Sequence, residues 1–119
     1  MSFAKDQKKN SKILMTTPTI EHITPAKARE LLTKDTTKII QILDVRTPEE
    51  YNKQHLPNAI NLDFYSPNFQ EQLAQLDKDK TYLVHCRSGG RSTKAVEIMS
   101  QLHFRYLYNV VGFLFPETE

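Results

Sequence analysis

The chain has 119 residues, 39% hydrophobic and 25% charged, the balance of a globular protein of one domain whose core needs neither disulfide nor metal. A single cysteine excludes an intramolecular disulfide, and no apolar run is long enough to span a bilayer. The basic balance of +2 arises in the first twelve residues, where Lys5, Lys8, Lys9 and Lys12 face only Asp6; the remainder carries 12 basic against 13 acidic side chains and offers no nucleic-acid surface. The expectation is a cytoplasmic protein with neither membrane nor nucleic acid as partner. Residues 1–18 read as an exposed polar tail, since Ile13-Leu14-Met15 is too short for the apolar part of a signal peptide. Residues 19–119 read as the folded domain.

Thr19-Ile20-Glu21-His22-Ile23 alternates apolar and polar, as a half-buried edge strand does, and His22 reads as a surface residue. Thr24-Pro25 opens a helix with Ala28, Leu31 and Leu32 on one face. Residues 38–44 form an apolar run suited to a central parallel strand. Thr47-Pro48-Glu49-Glu50 is a capping box, so a helix starts directly afterwards. Asp44, at the strand's carboxyl end, is placed where open parallel sheets carry their sites. It reads either as a carboxylate shaping that edge or as a simple strand-end acid. Arg46 is expected to pair with a carboxylate such as Glu50.

His55 through Leu62 gives a turn and a short strand. Ser66-Pro67 is expected to start a helix burying Phe69, Leu73 and Leu76, and residues 77–80 form a solvated turn. Tyr82 through Ser92 is the organising stretch: an apolar strand, the only cysteine, a glycine loop, and a helix running from Ser92 to about Leu102. A final strand covers residues 106–111 and stops at Gly112. Strands and helices in alternation imply an α/β domain with a mostly parallel central sheet between helices, a three-layer α/β/α arrangement.

A strand entering a glycine loop and then a helix builds an anion cradle from unpaired backbone N–H groups. Cys86 at its centre is a candidate nucleophile. The helix N-terminus and the guanidinium groups of Arg87 and Arg91 are expected to favour its thiolate. The plainer reading of a lone cysteine is a small buried hydrophobe. His85 reads as a proton donor or merely as the last residue of its strand.

Cys86-Arg87-Ser88-Gly89-Gly90-Arg91-Ser92 resembles the active-site loop of the rhodanese family of sulfurtransferases. Asp44-Val45-Arg46 leading to His55-Leu56-Pro57-Asn58-Ala59 is similar to the family's upstream signature. Gln54 and Asn58 stand where the family usually has glycine. Gly112-Phe113-Leu114-Phe115-Pro116 replaces its usual Gly-Gly and downstream Trp, either covering the core or offering an apolar patch. The resemblance implies a rhodanese-like fold. It also implies transfer of sulfane sulfur from a donor such as thiosulfate to cyanide or a thiol through a Cys86 persulfide. Arg87, Ser88, Gly89, Gly90, Arg91 and Ser92 would then bind the sulfur and its donor, with Asp44 and Arg46 supporting and His55 structural. No metal or organic cofactor is expected. Alternatives are a protein-to-protein sulfur carrier, a regulatory binding module, an arsenate reductase or a phosphatase. Phosphatase loops of this kind have five residues between Cys and Arg, whereas four separate Cys86 from Arg91, and no second cysteine is present to resolve a reductase cycle.

Overall fold

A computed structural model describes residues 18–115. The polar tail expected over residues 1–18 lies outside these, apart from Pro18. Strand β1 (Thr19–Ile23) is followed by helix α1 (Pro25–Lys34). Thr24 makes the junction: its hydroxyl accepts the Lys27 N–H at 3.1 Å and Pro25 fills the first helical turn, where a missing N–H costs nothing. Strand β2 (Ile40–Asp44) begins two residues later than the apolar run suggests. Lys38 is in the left-handed region (φ 58°), and the Asp35 carboxylate accepts the Ile39 and Ile40 N–H groups, so the chain is still turning there. The capping box forms as expected at the start of α2 (Pro48–Lys53), with Thr47 and Glu50 exchanging side-chain to backbone bonds.

Strand β3 (Ile60–Asn61) is short, and Asn58 before it takes the positive φ (66°) that the glycine of related chains would supply. Helix α3 (Phe69–Ala74) starts three residues after Ser66. The Ser66 hydroxyl donates to Asn68 Oδ1 at 2.6 Å instead of capping a helix. Strand β4 (Thr81–His85) leads through the glycine loop to helix α4 (Gly90–Gln101), which begins two residues before Ser92, and β5 (Tyr106–Val110) follows.

The sheet runs in the order β1-β5-β4-β2-β3, and every pairing is parallel. All strand carboxyl ends therefore lie along one edge, as an α/β order requires. The two-residue period of the strands sorts their side chains between two cores. On one face Leu43, Tyr82, Val84, Cys86 and Leu107 pack against Phe69 and Leu73 of α3 and Ala95, Val96 and Met99 of α4. On the other, Ile23, Leu83 and Val110 pack against Ala28 of α1 and Leu114.

Leu114 and Phe115 are buried, so the C-terminal segment closes the second core and is not an exposed patch. The Leu114 carbonyl accepts Arg29 Nη1 at 3.1 Å. Gly112 (φ 138°) allows the approach: a Cβ there would stand 2.9 Å from Pro25 Cγ. No helix among the described residues is long and apolar enough to cross a membrane.

Candidate active site

The site lies where β4 hands over to α4. Cys86 is the first residue after the strand, and its side chain follows the parity of Tyr82 and Val84 onto the α4 face. The chain then turns back through Gly89, whose φ of 104° is a conformation that side-chain-bearing residues rarely adopt. A side chain would also be tight, since a Cβ would lie 3.2 Å from Val111 Cα.

This turn aims two amides at one atom. Gly89 N donates to Cys86 Sγ at 3.1 Å and Ser92 N donates at 3.3 Å, while the Ser92 hydroxyl oxygen lies 3.6 Å away. Gly89 is the N-cap of α4 but has no side chain to cap it. The sulfur takes that place and satisfies a first-turn N–H that would otherwise lack a partner.

The electrostatics follow from these contacts. Burial, the largest influence, pushes the Cys86 thiol up. The Ser92 hydroxyl and the amides of Ser92, Gly89 and Ser88 together outweigh it and bring the thiol below its ordinary value of 9.0. A thiolate that accepts several hydrogen bonds is favoured over its protonated form. The arginines contribute less than the sequence suggests: Arg91 acts on Cys86 through charge alone, behind the hydrogen bonds to the sulfur. Arg91 Nη1 and Nη2 donate to Glu50 Oε1 and Oε2 at 2.8 and 3.2 Å, and the Arg87 guanidinium lies 5.0 Å from the centre of the Phe113 ring.

Arg46 pairs with a carboxylate, but it is Asp44 and not Glu50. Asp44 Oδ1 accepts Arg46 N at 3.0 Å and Nε at 2.9 Å, and Oδ2 accepts Nη2 at 2.6 Å. Both residues are buried, and Nη2 also donates to the Gln54 carbonyl at 2.7 Å. Positions 44 and 46, two apart, share a face at the strand end, and Glu50 is already engaged by Arg91. His85 alternates with Cys86 and so points to the opposite side of the sheet. Its Nε2 is 3.6 Å from Asp44 Oδ2, and its ring meets Phe115 edge-on. Burial holds it below its ordinary 6.5 despite the pull of Asp44. It is a strand-end residue with no route to the sulfur. His55 stacks on Tyr51 and contacts the Tyr51 carbonyl through Nδ1 at 2.8 Å, a structural placement.

The sequence reading has Glu50 as a capping residue and a partner for Arg46, and misses its bond to Arg91, 41 positions away. The Arg91 guanidinium holds the Glu50 carboxyl at about 2, from an ordinary 4.5, against the push of burial and with help from the Thr47 amide and hydroxyl. A depressed carboxyl stabilises the fold above its unfolded value, and that contribution is lost as pH falls through the folded one. The difference in urea midpoint between the parent protein and Glu50→Gln is therefore expected to be greatest above pH 4.5 and to disappear near pH 2. The pair is partly exposed, which keeps the difference below about 1 kcal/mol.

Above the loop is an open depression of about 460 Å³, lined by Phe64, Tyr65, Arg87, Ser88, Gly90, Arg91 and Lys94. Arg87 and Lys94, with Arg91 matched by Glu50, leave it positive and favour an anionic visitor. Lys94 and the two aromatic residues carry no sequence motif and are brought here only by the fold. Among the described residues no group of three or more His, Cys, Asp or Glu side chains is placed to hold a metal ion.

Residues 24–114 match the family model described as a rhodanese-like domain. The thiosulfate sulfurtransferase PspE of Escherichia coli is 34% identical over 70 residues, covering 59% of this chain and 67% of the relative. The thiosulfate sulfurtransferase GlpE of Coxiella burnetii is 30% identical over 92 residues, covering 77% and 81%. A crystal structure of a rhodanese-like domain protein from Staphylococcus aureus superposes with a TM-score of 0.67 at 30% identity, covering 79% of this chain and 87% of that one. With the family match running through nearly all the described residues, this chain belongs to the rhodanese-like domain family.

Proposed function

We propose that this protein is a sulfurtransferase that carries sulfane sulfur on Cys86. One observation carries the reading: the only cysteine receives two backbone amides and faces a hydroxyl at the start of a helix, an arrangement suited to an anionic sulfur. The PspE and GlpE relatives are thiosulfate sulfurtransferases, which supports thiosulfate as the donor.

In the first step Cys86 thiolate attacks the outer sulfur of thiosulfate. A new S–S bond forms, the donor's S–S bond breaks, and sulfite leaves with the bonding pair. The resulting persulfide anion is held by the same N–H groups that held the thiolate. In the second step cyanide or a thiolate attacks the outer sulfur, thiocyanate or a new persulfide departs, and Cys86 regains its electron pair. The sequence is covalent, ping-pong catalysis. Arg87, Ser88 and Lys94 rim the approach and favour an anionic donor, whereas the charge of Arg91 is matched by Glu50. Asp44 and Arg46 support the edge of the sheet beneath the loop without touching the sulfur.

The test is intact-mass measurement after incubation with thiosulfate. One added sulfur atom on Cys86, discharged by cyanide with release of thiocyanate, is the expected result. A chain that stays unloaded, or that hydrolyses a phosphate monoester instead, would sink the proposal.

A further inference from the structure

Behind the sulfur lies a set of polar contacts that the transfer chemistry leaves unused. Gly89 turns its N–H to Cys86 and its carbonyl away from it. That carbonyl accepts Thr93 N at 3.0 Å, Thr93 Oγ1 at 2.6 Å and Ser92 Oγ at 3.3 Å. Thr93 Oγ1 in turn accepts Asn109 Nδ2 at 2.9 Å, and the second proton of Nδ2 points to His22 Nδ1, also at 2.9 Å.

The direction of each bond is fixed by the available protons. Thr93 has one hydroxyl proton, given to Gly89, so its oxygen needs a donor from Asn109. A reversed Asn109 amide would set Oδ1 against that oxygen. His22 must then carry its proton on Nε2 so that Nδ1 can accept. Asn109 is fully buried in β5, and its Oδ1 has no partner. The amide is therefore held only through Nδ2, by Thr93 on one side and His22 on the other. His22 is exposed on edge strand β1. The contacts form one chain from solvent, through β5, to the left-handed residue that shapes the loop.

We propose that Thr93, Asn109 and His22 are positioning residues for the nucleophile. They fix the Gly89 carbonyl and thereby the turn that brings the Gly89 and Ser92 amides onto the Cys86 sulfur. Glycine has several backbone conformations open to it; the Thr93 amide takes this carbonyl as the first bond of α4, and the Thr93 and Ser92 hydroxyls hold it further. The proposal rests on Cys86 as the reacting sulfur, but its test reads thiolate formation and not sulfur transfer, so the two can fail separately.

The test is the pH dependence of Cys86 alkylation by iodoacetamide in the full chain. Thr93→Val removes the hydroxyl and keeps the shape. Its alkylation midpoint is expected to rise by about half a pH unit, a roughly threefold loss of thiolate below the midpoint. Thr93→Ser keeps the hydroxyl and is expected to keep the parent midpoint. A natively folded Thr93→Val with the parent midpoint overturns the proposal. If Thr93→Val does not fold, His22→Leu at the exposed end decides: hydrogen exchange at the Gly89 amide is expected to be roughly threefold faster, a change of the size a weakened hydrogen bond produces. Exchange at the parent rate overturns the proposal.

Discussion

Cys86→Ser protein incubated with thiosulfate is expected to gain no sulfur and to release no thiocyanate, a loss of turnover of at least ~10⁴-fold, the scale on which removal of a covalent nucleophile acts. The serine would still receive the Gly89 and Ser92 amides, so the loop is expected to persist. An alcohol ionises far above a thiol, and its oxygen cannot form the S–S bond that stores the cargo. Comparison with Ser92→Ala separates the nucleophile from its cradle. That variant keeps the sulfur and the backbone amides and loses one hydroxyl 3.6 Å away. The hydroxyl's one proton lies toward the Gly89 carbonyl and must turn to the sulfur when Cys86 ionises, so turnover is expected to fall roughly tenfold, the scale of one modest hydrogen bond. Intact mass and thiocyanate release read both variants. Sulfur loading by Cys86→Ser would place the chemistry elsewhere in the chain.

Asp44→Ala is expected to destabilise the fold by about 3–5 kcal/mol, the cost of leaving a buried charge without its partner. Arg46 is 4% exposed and Asp44 fully buried, so water cannot replace the carboxylate. Alanine would remove all three bonds that Asp44 accepts from Arg46, together with the nearest charge to His85. Arg46 would keep only the Gln54 carbonyl and its stacking over Phe115. Urea denaturation measures the effect. A loss below 1 kcal/mol would mean that Arg46 finds another route to solvent. Asp44 lies on the face of the sheet opposite the sulfur, so the variant that remains folded is expected to load sulfur. That result would assign Asp44 and Arg46 to the scaffold and not to the chemistry.

Local signals in the sequence were enough to find the elements and the loop that holds Cys86. Thr24-Pro25 and the Thr47–Glu50 box mark helix starts through bonds made within three residues. The strand, glycine loop and helix around Cys86 locate the cradle for the same reason. Less legible were interactions that join distant positions. The Glu50–Arg91 pair links α2 to α4, and the mouth brings Tyr65 beside Arg87 and Lys94. Arg46 could be matched to a carboxylate from its sequence context, but choosing Asp44 over Glu50 required knowing which face each side chain takes. The start of α3 moved because Ser66 bonds to the Asn68 side chain, a competition that periodicity does not register. Arginine charge near a thiol suggested the cause of its acidity; Arg91 does act on Cys86 by charge, but the amides and hydroxyl that contact the sulfur lead.

Among the described residues, the pairing of β1 with β5 joins the first strand to the last, and β1 has no other neighbour. During synthesis on the ribosome, residues 19–23 therefore wait for residues 106–110 before they can dock. Such distant closure raises contact order and slows assembly. Until it happens the inner strands have one edge uncovered, the state most exposed to misassociation.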